Sequence, residues 1–83
     1  MQAECDGLIA AFEAWKNCPN IEDEQKTYIE NLIERAHLDF AAAQKSQPEE
    51  RAQKEIARRC RRAASSVKAA TERCANGKAP KAD

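Results

Sequence analysis

The sequence predicts an all-α fold: an up-down-up three-helix bundle stapled by two disulfides. Three observations predict it: a helix-forming composition, two breaks that divide the chain into three amphipathic stretches, and four cysteines at matching depths. The 83 residues are enough for one domain. Alanine is abundant, and only two glycines, three prolines and four aromatic residues are present, so there is little material for a β-sheet.

The first helix is predicted from about Gln2 to Lys16, because apolar residues recur there at three- and four-residue spacing. Pro19 cannot continue a helix, and Asn20 is the expected N-cap of the next one. The apolar residues of this first stretch are Cys5, Leu8, Ile9, Phe12 and Trp15.

The second helix is predicted from about Ile21 to Lys45, with three acids in its first turn, where the helix dipole favours negative charge. Its apolar stripe consists of Ile29, Leu32, Ile33, Ala36, Phe40 and Ala43. Pro48 fits the first position of a third helix that ends near Ala75. The seam of that helix consists of Ile56, Cys60, Ala63, Val67, Ala70 and Cys74. We therefore expect a domain over residues 1–77 and a disordered tail over residues 78–83.

The disulfide pairing follows from helix geometry. Cys5 and Cys18, like Cys60 and Cys74, are separated by roughly 20 Å along a helix, whereas a disulfide needs Cα atoms within about 7 Å. In an up-down-up bundle Cys5 and Cys60 lie at one depth and Cys18 and Cys74 at another. The sequence thus predicts the bridges Cys5–Cys60 and Cys18–Cys74.

Two bridges in so short a chain indicate an oxidising compartment. We expect a mature domain of an exported protein, periplasmic or extracellular, whose export signal has been replaced by the starting Met. Import into a mitochondrial intermembrane space would leave a similar trace. No apolar run is long enough to cross a membrane.

The core is expected to form between the two bridges, and the opposite end of the bundle to be poorly filled. The five residues expected to meet in the core are Leu8, Phe12, Ile29, Ile33 and Val67. The second and third helices should extend past the start of the first. That end has only Phe40, Ala43, Ala52 and Ile56 to bury, so it should be the least stable part.

No catalytic, cofactor or metal site is predicted, and no small-molecule substrate. The cysteine spacings are too wide for a zinc site or a redox dithiol, and His37 stands alone without a nucleophile or paired carboxylate at a meaningful spacing. Phe12 and Trp15 suit a core better than a ligand pocket. We therefore expect a protein that is not an enzyme.

Charge is unevenly distributed along the neutral chain. Residues 1–42 carry nine acids and three bases, and residues 43–83 carry eleven bases and five acids, so the halves are −6 and +6. This pattern suits helix-to-helix attraction, with Glu30, Glu34, Glu55 and Glu72 relieving the cations, or else an anionic partner. The candidate anion-binding stripe, which we call the basic stripe, consists of Arg51, Lys54, Arg58, Arg61, Arg62 and Lys68. A second candidate surface is the small-residue face of Gly7, Ala10, Ala11 and Ala14.

The pattern Cys-x12-Cys, a long alanine- and charge-rich middle and Cys-x13-Cys resembles small uncharacterised exported proteins and lipoprotein domains of myxobacteria. The match is carried by Cys5, Cys18, Cys60 and Cys74, with the Cys18-Pro19 turn. The resemblance implies an exported, helical, non-enzymatic module. The chain also looks like the twin-cysteine helical hairpins of the mitochondrial intermembrane space, although those use Cys-x9-Cys. We expect a structural or protein-interaction module with an unidentified protein partner. The alternative is a binder of anionic polymers or envelope surfaces through the basic stripe.

Overall fold

A computed structural model describes residues 1–76 and shows three α-helices joined by two short connections. Helix α1 spans Gln2–Lys16, α2 spans Asp23–Lys45 and α3 spans Glu50–Ala75. The domain is elongated, with extents of 44 × 19 × 18 Å. The predicted all-α class and the three-helix order are confirmed. Gly77 and the predicted tail lie outside the described residues.

Both longer helices begin two residues later than predicted, and Asn20 is not an N-cap. Glu22 holds the N-cap position of α2 with extended backbone. The Asn20 side chain reaches the other end of the chain instead, where its Nδ2 donates a hydrogen bond of 2.8 Å to the carbonyl oxygen of Cys74. The amide therefore ties the first connection to the end of α3, where it supplies a side-chain donor to a carbonyl of the last helical turn.

The second connection, residues 46–49, also differs from the prediction. Pro48 precedes α3 instead of opening it, because Glu49 with extended backbone is the N-cap. Gln47 has a φ of 50°, in the left-handed region that ends a helix sharply. The chain thus reverses direction within four residues between Lys45 and Glu50.

The two predicted disulfides are confirmed. Cys5 pairs with Cys60 at a Cα separation of 4.9 Å, and Cys18 pairs with Cys74 at 6.4 Å. Both bridges join the α1 segment to α3, one near each end of α1. Helix α1 is therefore fixed to α3 covalently and to α2 by packing alone.

Helix α1 is the centre of the bundle. It packs against both α2 and α3, whereas no Cα atom of α2 lies within 8 Å of a Cα atom of α3 in residues 1–76. Ile29 is the only large side chain in this part that is fully buried. The buried core consists of Cys5, Ala11, Cys18, Ile29, Ile33, Ala57 and Val67.

The predicted core is correct for α2 and α3 but not for α1. Ile29, Ile33 and Val67 are buried, while Leu8 and Phe12 remain half-buried. The reason is the separation of α2 from α3, which leaves one side of α1 uncovered. Ala57, which was not predicted, is buried.

Candidate functional site

The uncovered side of α1 forms the floor of an apolar groove between α2 and α3. The groove encloses about 410 Å³ and receives side chains from all three helices. Its larger apolar side chains are Leu8, Ile9 and Phe12 of α1, Leu32 and Phe40 of α2, and Ile56 of α3. All six are only half-buried, so the groove presents apolar surface to solvent.

The groove continues past the start of α1 because the helices differ in length. Helix α1 has 15 residues, whereas α2 has 23 and α3 has 26. Both longer helices continue past the start of α1, where Phe40, Ala43 and Ile56 stay half-buried and Ala52 is exposed. No Cα atom of α2 lies within 8 Å of one of α3 in residues 1–76. The two helices therefore bury little of each other's apolar faces, and that end of the bundle remains open.

Among the described residues that line the groove, the charged ones lie at its rim. Arg35 and Asp39 of α2 and Arg59 of α3 border it, and all three are exposed. The Arg59 Nε lies 3.6 Å from the Glu55 Oε2 on the same helix. Residues 1–76 contain no buried polar or charged side chain, whereas small-molecule sites typically place a few polar groups inside an apolar pocket. The groove therefore suits an apolar surface of a protein better than a polar small molecule.

Tyr28 extends the groove face of α2 toward the other end of the bundle. It lies four residues before Leu32, in the row that continues with Arg35 and Asp39 at helical spacing. The Tyr28 side chain is 59% exposed. Tyrosine and arginine are enriched among residues that dominate binding energy at protein interfaces. The sequence prediction missed both the groove and Tyr28. The helical spacing that places Tyr28 in one row with Leu32 and Arg35 was the signal that could have revealed Tyr28.

The basic stripe is exposed along its whole length, as predicted. Two ion pairs reach it: the Lys54 Nζ lies 3.9 Å from the Glu50 Oε2, and the Arg61 Nη1 lies 3.8 Å from the Glu4 Oε2. Acids of α2 do not neutralise the cations of the stripe within residues 1–76, contrary to expectation, because no Cα atom of α2 lies within 8 Å of α3 in this part of the chain. The expected partners Glu30, Glu34 and Glu72 form no ion pair in this part of the chain, and Glu55 pairs with Arg59 instead.

Glu4 is the acid that meets the stripe. Its Oε1 lies 3.1 Å from the amino group of Met1, while its Oε2 faces Arg61. The Glu4 backbone N–H, followed by the neighbouring terminal ammonium, lowers the pKa of this carboxyl. Arg61 contributes least to the lowered pKa. The carboxylate is therefore held mainly by the start of α1.

The remaining candidates offer no converging chemistry in the described residues. His37 is exposed, and all four cysteines are bridged. Gly7, Ala10 and Ala14 of the small-residue face are exposed, but Ala11 is buried.

Across residues 1–76, no group of three or more metal-ligating side chains is close enough to hold an ion, and no helix is sufficiently long and apolar to cross a bilayer. The two disulfides are compatible with an oxidising, exported location. Among known proteins, no family model, no curated protein and no solved structure matches this chain.

Proposed function

We propose that this chain is a non-catalytic protein-interaction module of an exported protein and that its partner binds in the groove between α2 and α3. The observation that carries the proposal is the row of half-buried apolar side chains between α2 and α3, whose Cα atoms stay more than 8 Å apart within residues 1–76. Covering such surface removes apolar area from water, which favours association.

The dimensions of the groove indicate what kind of partner fits. The lining residues of α2 run from Leu32 to Ala43, which corresponds to about 16 Å, or three helical turns. An amphipathic helix of that length can lay its apolar face into a groove of this kind. The charged rim, Arg35, Asp39 and Arg59, then meets the polar edges of the bound helix.

A library of short amphipathic helical peptides tests this function. Peptides selected on the oxidised protein should lose at least about tenfold in affinity, or about 1.4 kcal/mol, when Phe40→Glu places a charge in the groove. The matched control is Leu38→Glu, because Leu38 is on the same helix, 65% exposed and outside the groove. Failure to select any peptide, or equal binding by the Phe40→Glu protein, would contradict the proposal.

A second candidate function rests on the basic stripe. Its six exposed cations span about 26 Å of α3 at helical rise. A row of this kind suits a phosphate-bearing polymer or an anionic envelope surface, and the binding should be weak and sensitive to salt.

Polyphosphate titration at low and at physiological salt tests the stripe. A triple variant, Arg58→Glu, Arg61→Glu and Arg62→Glu, should lose the binding that the wild-type protein shows at low salt. A control triple variant changes net charge equally but outside the stripe: Arg35→Glu, Arg59→Glu and Arg73→Glu. Equal binding by the stripe variant and the wild-type protein would exclude this function, and equal losses in both triple variants would show that only net charge matters.

A further inference from the structure

The charges at the rim of the groove indicate which partner binds there. This inference rests on the proposed function. Arg35 and Asp39 lie one turn apart on α2, and both are exposed. Neither forms an ion pair within residues 1–76. In a helix the acid-first order of such a pair is the more favourable one, and here the base comes first. The two charges are therefore left for a partner that offers an acid and a base in the opposite direction.

An antiparallel copy of α2 offers that arrangement. In a two-fold interface the same patch is used by both subunits, so that a residue contacts its counterpart reciprocally. Arg35 of each copy then lies within one residue's rise, about 1.5 Å, of the level of Asp39 of the other. The interface thus contains two Arg35–Asp39 pairs, and each charge is paired once.

The apolar lining has the same symmetry. The groove residues of α2 fall at 32, 35, 36, 39, 40 and 43, a spacing that reads the same in both directions. An antiparallel copy in this register sets the large Leu32 against the small Ala43, and it sets Ala36 near the centre of the contact, where a small side chain allows close approach.

We propose that the groove binds a second copy of this chain, through antiparallel α2 helices related by a two-fold axis. Leu32, Phe40 and the reciprocal Arg35–Asp39 pairs form the contact, and α3 of each copy flanks the inserted α2 with Ile56 and Arg59. In the dimer, the α2 helix of the second copy covers the groove that lies open between α2 and α3. A foreign amphipathic helix is the competing occupant.

Analytical ultracentrifugation of charge variants tests the dimer. The wild-type protein should dimerise at concentrations up to about 1 mM. Arg35→Asp alone and Asp39→Arg alone each place like charges across the axis, and each should weaken dimerisation at least about tenfold. Arg73→Asp is the matched control, because Arg73 is an exposed arginine of α3 that lies outside both the groove and the basic stripe, and the change should leave dimerisation unchanged.

Two further measurements identify the pairing itself. The double variant Arg35→Asp with Asp39→Arg should dimerise like the wild-type protein. A mixture of the two single variants should form a heterodimer, since every charge then faces its opposite. A monomeric wild-type protein, or single variants that dimerise normally, would overturn the proposal. If the protein does not dimerise but binds selected peptides that Phe40→Glu blocks, the interaction function stands with a foreign partner. If it neither dimerises nor binds such peptides, both proposals are overturned.

Discussion

The two ends of this bundle are built from the same kinds of residue but reach different degrees of burial. At the stapled end, α1 lies between α2 and α3, and Ile29 and Val67 are buried. At the open end, where α2 and α3 continue beyond α1, Phe40 and Ile56 are only half-buried. The difference shows that a third helix, not apolar side chains alone, closes the core of so small a domain.

The same difference assigns a role to each end. The stapled end has the Cys18–Cys74 bridge and the fully buried Ile29, and these supply stability. The Cys5–Cys60 bridge lies where α1 begins and lines the groove. The open end retains apolar surface within reach of three charged rim residues. Because small domains are stable by only a few kcal/mol, the disulfides allow the open end to remain unpacked and available to a partner.

Removing a disulfide should lower the free energy of unfolding more than any other change considered for the two ends. The bridges close loops of 55 and 56 residues, for which chain entropy gives about 4 kcal/mol each. Urea unfolding of the double variant Cys5→Ser/Cys60→Ser, and separately of Cys18→Ser/Cys74→Ser, measures both losses. Since the loops are equally long, similar losses are expected. A loss below about 1 kcal/mol for either bridge would contradict the view that the disulfides offset the thin core.

Truncation of single side chains should then separate the two ends. Ile29→Ala removes a fully buried side chain and should cost about 3 kcal/mol, within the range for buried isoleucine. Phe40→Ala, in the half-buried wall of the groove, should cost about half as much, and Leu38→Ala on the exposed face of α2 under about 0.5 kcal/mol. Urea unfolding of the three oxidised variants gives the order. A loss for Phe40→Ala equal to that for Ile29→Ala would mean that the open end is packed as well as the stapled end.

The sequence was sufficient to predict the helices, the bridges and the poorly filled end, because these depend on local pattern and chain length. Periodicity identified the apolar face of the first helix, which includes Leu8 and Phe12. The rise per residue of a helix placed Cys5 level with Cys60. The groove could not be predicted in the same way. Periodicity shows which face of a helix is apolar, but it does not show how far that helix lies from its neighbours. Phe12 was consequently assigned to the core, although it lies on the floor of an open groove.

The Asn20 contact was missed for a related reason. Asparagine before an acidic first turn is a typical N-cap, but the Asn20 amide instead donates to the carbonyl of Cys74, 54 residues away. Asn20→Ala should reduce the free energy of unfolding by about 1 kcal/mol, the usual value of one hydrogen bond. Asn31→Ala, an exposed change on α2, is the control. Unchanged stability of Asn20→Ala would show that this bond contributes nothing beside the neighbouring Cys18–Cys74 bridge.

The smallest expected effect concerns Glu4, at the start of α1 where the groove opens. The pKa of its carboxyl is lowered from the ordinary value of 4.5, so the ionised form is favoured in the folded protein. A lowered folded-state pKa stabilises the protein above the unfolded-state value, and that stabilisation is lost as the pH falls through the folded-state pKa. The wild-type protein should therefore exceed Glu4→Gln in stability at neutral pH, by an amount that stays constant down to about pH 4.5 and disappears below it.

Urea unfolding of both proteins across the acid range measures this difference, and Arg61→Gln identifies its source. Because the backbone N–H and the terminal ammonium lower the pKa of Glu4 more than Arg61 does, the Arg61→Gln protein should keep most of the pH dependence. A difference that grows as the pH falls would reverse the sign of the argument. Loss of the whole pH dependence in Arg61→Gln would show that the basic stripe, and not the start of α1, holds the carboxylate, and that α1 and α3 are joined electrostatically where the open end begins.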